Sequence, residues 1–364
     1  MFCMLYSSDF KQREAKRLIM RIRLIEYKCI TNDMGQPFGH AEKAIEDAKR
    51  ICINLGYEVE VAAASSYKSA SIILPNSLKA REYTYGNINR ILHNLRMATR
   101  GDKETIFWFV NIDWYLFLFL DLHDVKNKVI ATVYKDRYDL IKGFQGKKGI
   151  VGKVLYGMLD KGMKKVGVFI ETFHSASRSA DAVYVPDYVY TDLYKSYWSN
   201  EKIARVVCPG TINLQKDIVG LVKVFNTIGY PLLVIGEFAD SDCYEQVMTI
   251  KKENITVDNR RLEYDEYYKV IAESAYCITP YDMEKYTSAT SGVIRESVYL
   301  NTIVIAPTRL LDNTGLNGIG YESLADLEEF FTSDKLEKKV KNDLEPYREE
   351  SVMKHIEEAF ARLT

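Results

Sequence analysis

Surplus charge of either sign is the first thing this chain lacks: Lys+Arg 49 against Asp+Glu 50 leaves a formal net charge of -1. With no positive excess there is no global pull toward nucleic acid, and nucleic acid is not an expected partner. Cysteines in pairing patterns are missing too. The six present (Cys3, Cys29, Cys52, Cys208, Cys243, Cys277) form no C-x-x-C and no short even spacing. That argues against a disulfide framework or zinc knuckle and for a reducing, cytoplasmic setting. His40, His93, His123, His174 and His355 show no metal-ligand spacing, and neither does any group of carboxylates, so no metal is expected. No long apolar run exists either. The most apolar stretch, 114–120, is bounded by Asp113 and Asp121 and is too short to cross a bilayer; residues 1–19 contain no signal-peptide core. G-x-x-x-x-G-K-[ST] is absent, which excludes a Walker loop. After the first strand Gly35-Gln-Pro-Phe-Gly39 stands where a dinucleotide oxidoreductase would need G-x-G-x-x-G.

What is present is an ordinary globular balance, 47% hydrophobic and 27% charged, in a chain of 364 residues. That length exceeds what a single core usually supports, so two domains are expected. The 26 tyrosines suit sugar surfaces, though core packing accounts for most of them. Residues 1–19 read as an N-terminal extension, or Met20 is the true start. From there strand and helix alternate: a strand at 21–27, a loop with Gly35, Pro37 and Gly39, an amphipathic helix over 41–55, and a strand at 57–63. This is the first unit of a Rossmann-like domain. Further strands at 105–110, 128–134, 166–171 and 182–185 complete a domain over 20–200, with 186–200 as connecting structure. A second series fills 201–345: strands at 205–208, 231–237, 276–279 and 302–306, and helices at 217–228, 242–252, 265–275 and 292–300. Helices near 326–331 and 335–363 close the chain. The last is interrupted by Pro346, so that 346–364 forms a helix packing back toward the first domain. The expected architecture is α/β: two facing Rossmann-like domains with a ligand cleft between them.

Two segments carry the chemistry. In Val206-Val-Cys-Pro-Gly-Thr-Ile-Asn-Leu-Gln-Lys-Asp217 a strand ends, Gly210 permits a tight turn, and Lys216 falls at the mouth of the next helix. A lysine beside a helix N-terminus offers phosphate a point charge and free backbone donors; the bland alternative is a solvated surface lysine. In 280–296, a strand end leads through Thr287, Ser288, Thr290, Ser291 and Gly292 into a helix carrying Glu296. Hydroxyls and amides ahead of a helix suit a diphosphate, and a carboxylate one turn on can accept from a ribose diol. The alternative is a Ser/Thr-capped helix with an ordinary early acid.

Together, with the strand and Gly236 between them, these segments resemble the donor domain of family 4 GT-B glycosyltransferases. That family has a strand, Gly-Arg, a lysine four or five residues on, and later a pair of glutamates eight apart, the second starting a helix that leads into an apolar strand. Gly210, Lys216, Glu296 and the tail Glu296-Ser-Val-Tyr-Leu-Asn-Thr-Ile-Val-Ile-Ala306 fit. The glycine loop before His40 resembles the acceptor-side loop. The resemblance implies a nucleotide-sugar donor held by Gly39, His40, Gly210, Thr211, Lys216, Ser288, Ser291, Gly292 and Glu296. In it Lys216 neutralises the diphosphate in place of a metal, and Glu296 holds the ribose. Thr211 stands where the family has arginine, Ser288 where it has the first glutamate, and Tyr134 where it often has histidine. The sugar-hydroxyl contact is then lost or passes to Glu284.

A retaining transfer would let the leaving phosphate take the acceptor proton; an inverting one needs a carboxylate on the first domain, with Asp113 and Asp136 as candidates at strand ends. The segment 147–165 sets Ile150, Val151, Val154, Leu155, Met158 and Leu159 on one face among Lys147, Lys148, Lys153, Lys161, Lys164 and Lys165. It is either a core helix with a solvated face or a peripheral contact with the inner face of a membrane, where a lipid-linked acceptor sits. The expected function is transfer of a sugar to a glycan or lipid-linked acceptor in surface polysaccharide synthesis. The alternatives are a catalytically degenerate partner subunit, suggested by Thr211 and Ser288, and a nucleotide-sugar epimerase.

Overall fold

The computed structural model describes residues 20–31, 35, 37, 41–79, 87–145, 149–174, 179–284, 286, 290–333 and 340–363. They fall into two compact units. The first lies within Met1–Thr172, Ala176–Asp187 and Glu349–Thr364, the second within Phe173–Ser175 and Tyr188–Arg348.

The sheet of the first unit contains β1 (Arg21–Ile25), β3 (Glu58–Ala63), β4 (Ile72–Ile73), β6 (Ile106–Phe109), β7 (Val129–Val133), β8 (Val168–Glu171) and β9 (Ala182–Tyr184). All pair in parallel, in the order β4-β3-β1-β6-β7-β8-β9, while β2 (Ile30–Thr31) and β5 (Leu78–Lys79) form a separate short ladder. From β1 the chain builds outward on one side to β4, then returns to add β6 on the other. Ile-Phe-Trp-Phe, Val-Ile-Ala-Thr-Val and Val-Phe-Ile-Glu in β6, β7 and β8 are buried along their whole length, as strands covered on both faces must be.

Helical spacing decides which faces the helices bury. Helix Ala41–Asn54 buries Ala41, Ile45, Ala48, Ile51 and Cys52. Helix Trp114–Leu122 is apolar on every face up to Asp121 and buries Tyr115 through Leu120 within the unit. Helix Ile150–Met163 packs on it so closely that a Cβ on Gly162 would lie 1.8 Å from the Phe117 carbonyl oxygen. The first turn of that same helix leaves Ile150 82%, Val151 81% and Val154 57% exposed. Helix Glu349–Ala361 belongs to this unit: Phe360 stands edge-on to Tyr57 at 4.9 Å and to Trp108 at 6.1 Å, and Glu349 accepts from Arg50 at 3.0 Å.

In the second unit β10 (Ile203–Pro209), β11 (Leu232–Ile235), β12 (Ile255–Asp258), β13 (Ser274–Ile278), β14 (Ile303–Pro307) and β15 (Ile319–Tyr321) lie in the order β12-β11-β10-β13-β14-β15, all parallel. The order reverses as in the first sheet. Sequence placed 188–200 in the first domain; the structure gives these residues to the second. Tyr188, Tyr190 and Tyr194 enter its core with Tyr268, Tyr299 and Tyr347, and the Tyr299 hydroxyl donates to the Tyr188 carbonyl at 2.9 Å. The sequence also missed β12 and β15, short strands at the sheet edges with polar residues or glycine among few apolar ones. Of the helix expected from 335, residues 334–339 lie outside the described residues. Residues 341–344 are irregular, and Glu345–Tyr347 is a single 3-10 turn holding Pro346.

Two glycines of one helix test this packing. Gly162→Ala should destabilise the protein by about 2–3 kcal/mol, because the methyl group meets backbone rather than a movable side chain. Gly157→Ala, where a Cβ has nothing within 4 Å, should stabilise by about 0.5–1 kcal/mol through helix propensity. Equal effects in urea unfolding would contradict the helix packing described.

Candidate active site

Where neighbouring parallel strands lead their chains to opposite sides, a crevice opens at their carboxyl ends. In the second unit that place lies between β10 and β13. The chain leaves β10 through Gly210 at φ 85°, a left-handed turn that favours glycine. Gly236, beyond β11, has φ 146° and lies so near that a Cβ on it would sit 2.0 Å from the Gly210 carbonyl oxygen. The chain then returns so that Lys216 forms an antiparallel bridge with Tyr281, just past β13, and the Asp217 amide donates to the Pro280 carbonyl at 2.7 Å. The Asp217 carboxylate caps helix Ile218–Ile228 by accepting from the Gly220 amide at 2.8 Å. Lys216 is therefore fixed by backbone contacts immediately before it enters the helix.

Lys216 is buried, 6% exposed as a residue. The ammonium donates to the Pro209 carbonyl at 3.1 Å and stands 5.7 Å from the centre of the Tyr281 ring; it joins no ion pair among the described residues. A buried ammonium held by only a carbonyl and a ring face is poorly compensated, and an anion would complete it. The point where a Gly210 Cβ would sit is 4.0 Å from Lys216 Nζ and 3.8 Å from Val293 Cγ2, so the ammonium and the first turn of helix Gly292–Tyr299 flank one spot. Ser291 is the N-cap residue, yet its side chain caps nothing; its Oγ is buried without a hydrogen-bond partner, as is Thr279 Oγ1. First-turn amides of a helix have no intrahelical acceptor, and the dipole there favours negative charge. Gly292 cannot be larger, since a Cβ would meet the Tyr188 ring at 2.7 Å. A cation, the Ser291 hydroxyl and a helix N-terminus are a combination that suits an anion such as a diphosphate.

The other expected donor-site residues divide. Glu296 is 4% exposed, and its carboxylate accepts from the Tyr268 hydroxyl at 3.1 Å and from the Tyr267 hydroxyl at 3.2 Å, contacts with no counterpart in the sequence pattern. Thr211 is exposed, and so is Glu284, whose amide donates to Asp282 Oδ1 at 3.0 Å. Gly39, His40 and Ser288 lie outside the described residues.

In the first unit the order reverses between β1 and β6. Asp113 follows β6. Its Oδ1 accepts from the Tyr27 hydroxyl at 2.9 Å and from the Tyr115 amide at 3.0 Å, capping helix Trp114–Leu122, and burial raises its pKa. Asp136 differs: it is exposed, and its Oδ1 accepts from the Tyr138 amide at 2.8 Å to open a turn. Glu26 and Lys28, missed on sequence, follow β1 in the same crevice region as Asp113 and are 1% and 7% exposed. Burial pushes the Glu26 carboxyl up to about 7, Lys28 opposing and Asp113 reinforcing. The signal that could have found them is two opposite charges directly after an apolar strand. Among the described residues no group of three or more His, Cys, Asp or Glu side chains could hold a metal ion.

No protein-family model and no curated protein matches the sequence. Solved structures do match along nearly the whole chain. An α,α-trehalose-phosphate synthase (UDP-forming) from Burkholderia xenovorans, in complex with glucose-6-phosphate, is 10% identical with a TM-score of 0.63, covering 95% of this chain and 100% of that one. The catalytic domain of starch synthase IV from Arabidopsis thaliana, bound to ADP and acarbose, is 12% identical with a TM-score of 0.62, covering 94% and 99%. A protein described as a UDP-N-acetylglucosamine 2-epimerase from Listeria monocytogenes is 12% identical with a TM-score of 0.55, covering 94% and 96%. The chain has the GT-B fold, two Rossmann-like domains, as the sequence pattern implied.

Glu26 gives this site a signature in stability. Its folded pKa, about 7, lies above its ordinary 4.5, so the folded state holds the proton more tightly. That contribution is fully present below about pH 4.5 and is lost as pH rises through about 7, amounting to about 3 kcal/mol. Unfolding free energies measured from pH 4.5 to 8.5 should show wild type losing this amount relative to Glu26→Gln, whose amide does not titrate. Parallel pH profiles would show that Glu26 is ionised throughout.

Proposed function

We propose that this protein transfers a sugar from a nucleotide-sugar donor to a glycan or lipid-linked acceptor, in the synthesis of a surface polysaccharide. The observation that carries this reading is the buried Lys216 ammonium beside Gly210 and the N-terminus of helix Gly292–Tyr299, with no carboxylate to pair it among the described residues. Breaking the bond between a sugar and a nucleoside diphosphate puts charge on the departing phosphate. Lys216, the first-turn amides and Ser291 Oγ are suited to receive that charge, and fixed donors of this kind are usually the largest catalytic contribution. Glu296, steadied by Tyr267 and Tyr268, accepts from the ribose hydroxyls in this reading. Lys216 takes the role a divalent metal would otherwise fill.

A thermal-shift panel of UDP, GDP, TDP, ADP and CMP sugars finds the donor. At a hundred times its dissociation constant the true donor should add about 2.7 kcal/mol of stability. With that donor, Lys216→Ala should lower turnover by about a hundredfold or more while raising KM less, because the charge it meets grows in the transition state. Lys216→Arg should restore part of the loss, and chelation of divalent metals should leave turnover unchanged. No stabilisation by any nucleotide sugar would instead favour a non-catalytic partner subunit.

The exposed first turn of helix Ile150–Met163 supports a lipid-linked acceptor. Ile150, Val151 and Val154 present apolar surface beside the exposed Lys153. No helix among the described residues is long and apolar enough to cross a membrane, so this reading is of a helix lying on the surface. Sedimentation with vesicles containing anionic lipid should pull down the protein in a salt-sensitive way, and Ile150→Asp with Val151→Asp should abolish it. Equal sedimentation of the variant removes the helix from this role.

A further inference from the structure

We propose that Glu26, Lys28 and Asp113, at the β1/β6 reversal of the first unit, form a binding site for the clustered hydroxyl groups of a sugar. Naming that sugar as the acceptor rests on the transfer reading above; the binding itself does not.

Two carboxyl oxygens at this reversal have unmet hydrogen bonds. Asp113 is held through one oxygen only: Oδ1 accepts from the Tyr27 hydroxyl and the Tyr115 amide, whereas Oδ2 is buried with no partner. Tyr27 is itself pinned, because its hydroxyl also accepts from the Asp113 amide at 3.1 Å. Glu26 repeats the pattern. Its Oε1 accepts from the Lys28 amide at 3.2 Å, and Oε2 is buried with no partner, on a side chain 1% exposed. The Lys28 side chain is 7% exposed and joins no ion pair among the described residues, though its charge acts on both carboxyls. A buried acceptor left unsatisfied costs roughly 1–3 kcal/mol, so a ligand that donates to both oxygens beside the Lys28 ammonium gains from completing them.

Chemistry narrows the ligand. An anion would face two carboxyls, and an apolar group would leave both oxygens unmet. A metal cation would be opposed by the Lys28 charge. A hydroxyl donates one hydrogen bond and accepts others. Neighbouring hydroxyls on a sugar ring can give protons to Glu26 Oε2 and Asp113 Oδ2 while one accepts from the Lys28 ammonium. The groups acting electrostatically on Glu26, or it on them, are Lys28, Asp113, Tyr27, Cys29, Tyr67 and Tyr134. With its carboxyl pushed up to about 7, Glu26 exists in both forms near neutrality and can donate as well as accept.

The test uses the full chain and a panel of methyl α- and β-glycosides of glucose, galactose, mannose and N-acetylglucosamine, read by saturation-transfer NMR and titration. At least one should bind wild type, and Glu26→Gln and Asp113→Asn should each weaken it by about tenfold, the loss of one charge-assisted hydrogen bond. Nucleoside-diphosphate affinity, a property of the second unit, should change by less than about twofold by calorimetry in the same variants. Asn keeps the helix cap and Gln keeps the side-chain shape; if Asp113→Asn fails to fold, Glu26→Gln and Lys28→Met decide. No glycoside bound by wild type, or binding unchanged in the variants, overturns the proposal. Glycoside binding through these residues in a protein that binds no nucleotide sugar overturns the transfer reading and leaves this one standing.

Discussion

Parallel strands must be joined by crossovers, and a crossover can lead to either side. Where two neighbouring strands send their chains opposite ways, no main chain covers the carboxyl ends between them. Both sheets of this protein have one such place, at β1/β6 and at β10/β13. Lys216 and Ser291 in one unit, and Glu26, Lys28 and Asp113 in the other, depend on it. Elsewhere the strand interiors are mostly apolar and covered; at the reversals, side chains leaving the strand ends can be shielded from bulk water without being filled in by helices. The two units thus apply one topological constraint twice.

They apply it with opposite electrostatics. The second unit gathers an ammonium, the Ser291 hydroxyl and a helix N-terminus, and the ammonium is positioned by backbone: a bridge from Lys216 to Tyr281 and a hydrogen bond from the Asp217 amide to the Pro280 carbonyl. Backbone positioning suits a group whose charge must stay put while a partner's charge changes. The first unit gathers two carboxyls around one ammonium, and there a side chain, Tyr27, provides the positioning. Burial at low effective dielectric strengthens each set of interactions and raises the energy of each unfilled one. An ammonium beside a helix N-terminus and an ammonium beside two carboxyls select different ligands even though their backbones are built alike.

Much of this was readable from residue order. The buried central strands are apolar runs bounded by turn residues, and Lys216 stood out because glycine ends a strand six positions before it. Edge strands β12 and β15 were not readable, since a few residues at a sheet edge have neither the length nor the continuous burial that makes a run visible. Residues 188–200 looked like a linker because their tyrosines find partners, Tyr268, Tyr299 and Tyr347, far along the chain. Asp113 and Asp136 were chosen by the same rule, a carboxylate after a strand. What separates them is a tyrosine hydroxyl 86 positions away from Asp113, and no local pattern reports that. Glu26 and Lys28 were passed over for a related reason. Charged residues after a strand usually face solvent, and only the three-dimensional cover shows that these do not.

The path of the chain has a consequence for its synthesis. The first unit is assembled from three separated stretches, and the main run of the second unit, Tyr188–Arg348, is made before the last of them. Every strand of both sheets has been made before Phe360 reaches Tyr57 and Trp108. On the ribosome the second unit can therefore close on itself while the first still shows the apolar surface that helix Glu349–Ala361 will cover. The first unit is completed after the second, and its exposure to aggregation in that interval depends on how quickly helix Glu349–Ala361 arrives.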